Sequence, residues 1–441
     1  MATGGTFQSQ NKVRPGAYIN FIGTPKSLSS VGERGVVALP ISLGWGEQVI
    51  EMTAKDLITG ASLEKAGVLF TDDEALNLRL ALQSCNKAVI YRLNATSATK
   101  ATKTIAGLKV TAKQGGTFGN KIKFKVDVVD GVITVKTYAH DLLKDTQRVS
   151  AVSGLAANDF VEFEAASGDL ATTALTALEN GADGSEVTDI SDALSAFEAY
   201  KFNILAVTQT NSTTKNQAVQ WIGSLRADQG VKVQAVLSEY SGDTEAVIST
   251  WQGYKLEDGT TISKAQAVLA VASMEAGASL TESLTGAIIP DAIEISDAPK
   301  THDEIVAALN AGKLVLSRTN DGAIVIEKDQ NTLHTFTPTK GYIFSKNRPL
   351  RVLDQIGNDV KSLFNRSYLG KVSNDENGRN IYKNDLISYF KTLEGMGAIQ
   401  NFRAEDVLVL PGNDSDSVVV QLYVQPVDSM EKLYMTVNVE G

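Results

Sequence analysis

Three histidines and one cysteine are the side chains of this 441-residue chain best suited to metal or nucleophilic chemistry. Zinc needs His or Cys donors a few residues apart, so that at least two of them meet one ion. His140, His302 and His334 are widely separated, and read as residents of a β-turn, a helix N-terminus and a Thr-rich loop. Cys85 follows the helical pattern Leu76–Leu82 and reads as a small buried apolar residue; as the only cysteine it excludes an internal disulfide. A Ser-His-Asp triad on an α/β domain calls for a Gly-x-Ser-x-Gly elbow, and none occurs.

Loops for phosphate or calcium fare no better. Asn310-Ala311-Gly312-Lys313 lacks the Ser or Thr after the Lys and the earlier Gly of a nucleotide loop, and reads as a helix C-cap. Gly115-Gly116-Thr117-Phe118-Gly119-Asn120 precedes a strand, whereas a phosphate cradle opens a helix, so it reads as a turn that needs positive φ. In Ser373-Asn374-Asp375-Glu376-Asn377-Gly378 a Ser replaces the first carboxylate of a calcium loop, and Asn384 stands where a bidentate Glu belongs. It reads as a solvated turn, as do Asp414 and Asp416. No catalytic, cofactor or metal site is expected, and no cofactor.

The composition narrows the partners. A net charge of −10 disfavours phosphate backbones and anionic membranes. Hydrophobic residues at 43% are enough for a packed core, and the length suggests roughly three domains. Residues 1–16 are rich in Gly, Ser, Gln and Asn and lack the apolar core of a secretory signal, so the expected place of synthesis and retention is a cytoplasm. The most apolar long stretch, Ala265–Leu280, is broken by Gln266, Ser273 and Glu275 and reads as a buried helix, not a membrane span.

The elements that would position any site fall into blocks. Ala17–Phe21 is a short β-prone run at the end of a polar leader. Residues 22–95 have strand-like Val36–Leu39 and Ala88–Leu93, with a helix start at Thr71-Asp72-Asp73-Glu74. From 96 to 182 the period becomes two: Ile122, Phe124, Val126 and Val128 alternate with polar residues, Asp130-Gly131 supplies a hairpin turn, and Val132–Tyr138 returns. Phe160, Val161 and Phe163 read as a further strand, making this block an all-β insertion. Residues 183–345 alternate strands and helices: Phe202–Val207, Thr213–Ala227, Val231–Leu237, then expected helices at Gly242–Tyr254, Ser263–Ala276 and Thr301–Ala311, and a strand at Ala323–Glu327. That is an α/β domain with a mostly parallel sheet. In 346–428, Val352, Ile356, Val360, Leu363 and Phe364 are spaced for an amphipathic helix with charges interleaved, Asp385–Leu393 reads as a second helix, and Val407–Leu410 and Val418–Val424 as strands. Residues 429–441 end in the alternating run Leu433, Met435, Val437, Val439. A strand near each end can fold back on its own domain or pair with another subunit, and the pattern alone leaves both open.

Three stretches, taken in order, resemble a known family. They are Gly4–Phe7 with Val13–Phe21, Gly116–Asn120, and Lys346-Asn347-Arg348-Pro349-Leu350-Arg351-Val352-Leu353-Asp354-Gln355-Ile356-Gly357-Asn358-Asp359 with Tyr368-Leu369-Gly370-Lys371. The chain resembles a contractile tail sheath protein of tailed phages and phage-like bacteriocin particles. The resemblance implies a central α/β domain, an inserted β-sandwich and a C-terminal α+β domain whose terminal strands are exchanged between subunits. It implies an N-arm strand through Tyr18, Ile19 and Phe21, a C-arm strand through Leu433, Met435, Val437 and Val439, and a C-terminal motif of Arg348, Arg351, Asp354 and Asp359. The implied partners are further copies in stacked hexameric rings, a tail tube protein, and baseplate and tail terminator proteins, with no direct nucleic acid and no membrane insertion. The implied function is non-enzymatic, a sheath assembled in a host cytoplasm that contracts to drive the tube through a cell envelope. A hydrolase on the α/β domain and a non-contractile coat polymer are the alternatives.

The absence of any catalytic constellation predicts that purified protein hydrolyses neither peptide nor ester substrates. Activity that disappears on His302→Ala or His334→Ala would contradict this reading.

Overall fold

The computed structural model describes residues 31–185 and 187–439, together with the backbone of Gly4–Gly5 and Ala17–Tyr18. The chain divides into two compact units, one including Asp359–Gln425 and the other including Gly32–Asn358 and the segment from Pro426.

The larger unit is organised by a seven-stranded sheet. Its order is Lys313–Leu314, Val247–Thr250, Gln234–Ser238, Ile204–Val207, Val36–Ile41, Lys87–Arg92 and Val49–Met52. All neighbours are parallel except Val49–Met52, which runs antiparallel to Lys87–Arg92. The inner strands are buried on both faces, which is why they read as continuous apolar runs with no alternation. On one face lies the helix Lys264–Gly277, buried from Ala267 to Ala276 and started by a capping box in which Ser263 and Gln266 satisfy each other's backbone N–H. Ser273 Oγ accepts from the backbone N–H of Ser84 and Cys85, so the cysteine sits in this core, where burial pushes its thiol pKa up. The other face is covered by Ser191–Phe197 and Ser212–Ala227.

Two expectations for this unit need correction. Gly242–Tyr254 is no helix: a loop leads into the strand Val247–Thr250, parallel to Gln234–Ser238. Val247, Ile248 and Thr250 are β-branched, and burial on both faces removes the alternation that would have identified them as a strand. The strand near Ala323–Glu327 exists as Ile324–Ile326, but pairs antiparallel with Leu316–Arg318 outside the main sheet.

Between the strand Lys87–Arg92 and the helix Ser191–Phe197, the chain builds two sheets around a separate apolar core. One has the order Leu142–Val149, Val132–Ala139, Ile122–Val129, Thr176–Ala177; the other has Val161–Ala165, Leu108–Gly115, Lys100–Ile105. Val110, Phe124, Val126, Val135 and Phe160 fill the space between. Asp130 and Gly131 have φ of 50° and 76°, and His140 and Asp141 have 52° and 62°, so both tight hairpins carry two successive residues with positive φ. Thr99 and Ala182 exchange backbone hydrogen bonds of 2.8 and 3.1 Å, which brings the two ends of the block together.

The seam with the main sheet is specific. Trp45 and Leu63 join the β core, Trp45 edge-on to Phe118 at 5.2 Å between ring centres. Arg92, fully buried, donates to the carbonyls of Leu43 (2.9 Å), Gly46 (2.8 Å) and Gly115 (2.8 Å). Gly116 follows with φ of 132°, and a Cβ there would lie 2.0 Å from the Gly44 carbonyl, so the turn read from the sequence admits no other residue. Arg92→Met would remove the guanidinium's hydrogen bonds to three carbonyls, two of them in buried contacts, and should lower the unfolding free energy by about 2–4 kcal/mol. Urea denaturation measures this, and a loss below about 1 kcal/mol would show that the seam does not depend on the guanidinium.

Candidate assembly site

The smaller unit presents an open β-hairpin. Its long helix Glu376–Gly395 buries Tyr382, Leu386, Tyr389, Phe390 and Leu393, and packs against the strand Val407–Pro411. The helix begins in the segment read as a solvated turn: Asp375 Oδ1 accepts from Gly378 N–H at 2.7 Å as an N-cap. Asn377, Gly378 and Asn380 are poor helix formers and hid a start that tertiary packing imposes. Val407–Pro411 pairs antiparallel with Val418–Leu422, and these two strands form a sheet of their own with both outer edges unpaired among the described residues. Leu408, Leu410, Val419 and Val420 are exposed on it.

The terminal runs meet the sequence reading unevenly. Ala17–Tyr18 pairs in parallel with Gly4–Gly5; Ile19 and Phe21 lie outside the described residues. Leu433, Met435, Val437 and Val439 belong to no strand of the described chain and are 85%, 73%, 68% and 87% exposed. Tyr434, on the opposite parity, is equally exposed, so neither side of the run is covered.

Just before this run the chain is tied down. Lys346 is 3% exposed in its side chain, and its ammonium lies 2.6 Å from Glu431 and 3.1 Å from Asp428. Thr285 Oγ1 also donates to Glu431, at 2.8 Å, and accepts from the Asp329 backbone N–H. Burial alone would lower the Lys346 pKa; the two carboxylates outweigh it and hold the ammonium above its ordinary range.

The charged residues of the C-terminal motif do not form a common site. They lie on or beside the helix Asn347–Leu363, which the sequence reads as amphipathic with charges interleaved, and Arg351 and Asp354 are buried. Arg351 donates to Glu275 Oε2 at 2.7 Å and to the carbonyls of Ser279 and Glu282, with Asp329 3.7 Å away. Asn347 bridges the two acids, its amide 3.0 Å from Glu275 and 2.7 Å from Asp329. Burial, then the charge of Asp329, pushes the Glu275 pKa up against the opposing pull of Arg351. Asp354 takes a two-pronged grip from Arg226 at 2.6 and 2.9 Å. Asp359 accepts from the Tyr389 hydroxyl at 2.8 Å, within the smaller unit. Arg348 is half-buried, with its Nε unbonded. The one sequence signal for this network was Glu275, a carboxylate inside an otherwise apolar helix that had to find a partner.

Among the described residues no group of three His, Cys, Asp or Glu could hold a metal. His140 faces Asp72 at 3.3 Å, His302 opens the helix His302–Asn310, and His334 lies against Asp243 at 3.6 Å. No helix among the described residues is long and apolar enough to cross a membrane.

Comparison with known proteins identifies the fold. Residues 183–332 match the phage tail sheath protein central domain, and residues 339–440 the phage tail sheath C-terminal domain. The XkdK protein of phage-like element PBSX from Bacillus subtilis is 35% identical over 474 residues, covering 99% of both chains. The sheath tail protein of Desulfitobacterium hafniense is 38% identical with a TM-score of 0.82, covering 95% of this chain and 99% of that one. That of Listeria innocua is 32% identical with a TM-score of 0.81, covering 92% and 95%. The helical sheath of the anti-feeding prophage in its contracted state shares the fold at a TM-score of 0.58 with 11% identity, over 96% of this chain and 98% of that one. The chain belongs to the family of phage tail sheath proteins.

Proposed function

We propose that this sheath subunit polymerises as stacked hexameric rings around a tail tube, joined by exchanged terminal strands, and that the polymer shortens to drive the tube through a host envelope. The observation that carries the reading is the presence in one chain of a strand-patterned run without a ladder partner among the described residues and of a hairpin with open edges. Residues 433–439 follow the alternation Leu433, Met435, Val437, Val439 and have no ladder partner among the described residues, while the hairpin of Val407–Pro411 and Val418–Leu422 has edges unpaired by any described residue and exposed apolar residues. A run of this kind in one copy can add to the hairpin of another, as an extended segment adds to any open sheet edge. Tyr18, Ile19 and Phe21 are proposed as the N-terminal counterpart. Stacking around a tube, capping by baseplate and terminator proteins and assembly in a bacterial cytoplasm belong to the same proposal, whose helical polymer is supported by the helical sheath of the anti-feeding prophage. Residues 96–182 are proposed as an inserted module that leaves these strands free. Release from one packing to another needs no nucleotide and no active site, so the subunit acts without enzymatic chemistry.

Proline removes a ladder donor and fixes φ, at a cost of about 3 kcal/mol or more inside regular structure. Ile19→Pro and Val437→Pro should therefore give soluble subunits with near-wild-type melting that form no long sheaths by electron microscopy. Normal sheaths from both variants, or a large drop in melting temperature of the unassembled subunit, would sink the shared-strand reading.

A further inference from the structure

The segment that leads into the C-terminal run is held by a buried cation reached from two directions. Lys346 stands one residue before the helix Asn347–Leu363, and its ammonium contacts both Asp428 and Glu431. Glu431 takes a further hydrogen bond from Thr285, whose oxygen accepts from the backbone of Asp329, the same residue that meets Asn347 and lies beside Arg351. Asp428 and Glu431 are thus joined to the buried polar centre of the larger unit. One residue later, from Lys432 onward, every described residue is exposed.

We infer that Lys346, through Asp428 and Glu431, is a lock that fixes the root of the C-terminal strand and so determines where that strand can reach a second copy of this chain. Lys346 is in this sense a positioning residue, and its role rests on the shared-strand reading above. The consequence is geometric. With the root held at Glu431, the eight described residues 432–439 span at most about 26 Å when extended, so the acceptor edge must lie within that radius of the lock. If the root were loose, the strand would sample many positions and lose the entropic advantage of a prepositioned partner.

The test uses the full-length chain and two sets of substitutions. Lys346→Met keeps the aliphatic stem and removes the charge; the double change Asp428→Asn with Glu431→Gln leaves the α/β core untouched and decides the matter if the Met variant fails to fold. Hydrogen exchange of the amides of residues 427–431 is followed in unassembled subunits, alongside melting temperature and sheath formation by electron microscopy. The lock predicts exchange at least about tenfold faster in both variants, a nearly unchanged melt, and few or short sheaths. A purely structural role for Lys346 would lower the melt in proportion to the exchange. Wild-type exchange rates, or normal sheaths despite fast exchange, would overturn the inference. Deleting residues 432–441 separates the two claims: normal assembly without them refutes the shared strand, while the exchange of 427–431 still judges the lock.

Discussion

A β-strand cannot satisfy its own backbone, and this constraint governs how the two ends of the chain can be used. Helices close their hydrogen bonds within themselves, but each N–H and C=O of an extended segment needs a neighbour or water. Residues 433–439 have an apolar alternation that suits a sheet and no sheet to join within the described chain. The hairpin of the smaller unit is the converse, a sheet too small to be closed. Both are liabilities in a monomer, whereas in the proposed polymer each new contact would remove exposed apolar surface and complete a ladder.

The rest of the larger unit supplies rigidity to that arrangement. A doubly covered parallel sheet, a helix buried almost throughout, and the seam held by Arg92 and Trp45 pack this unit around continuous apolar cores. The ionic contacts near helix Asn347–Leu363 are different in kind. Burying Glu275, Asp329 and Arg351 together contributes little net stability, but removing one partner strands the others, so such a cluster favours one arrangement over near alternatives. Joining the start of the C-terminal run to it through Thr285 and Lys346 extends that definition to Glu431, beyond which every described residue is exposed.

Where local chemistry decided structure, the sequence was legible. The Asp130-Gly131 hairpin, the Gly116 turn, the Gly312 helix stop and the Ser263 cap all follow from residues within a few positions of one another. Where burial was two-sided or composition was weak, it was not. Val247–Thr250 lost its alternation to a second covered face, and the helix from Glu376 began in Asn and Gly because packing of Tyr382 and Leu386 overrode propensity. The polar network could not be read because its members, from Glu275 to Glu431, are brought together only by the fold. Family resemblance named Arg351 and Asp354 without saying that both are buried in separate ion pairs. The open strands were the reverse case: the alternation of Leu433, Met435, Val437 and Val439 was plain, and the question it posed was where the partner lies.

That question has a direct measurement. A cryo-electron microscopy reconstruction of sheaths assembled from this chain, at a resolution that traces side chains, shows which strand lies beside Val437. The account predicts residues 433–439 of one subunit at ladder spacing, about 4.8 Å, from a strand of a different subunit, with Glu431 still on Lys346 of its own chain. Residues 433–439 folded onto a sheet of their own subunit, or left unpaired in an intact sheath, would contradict it.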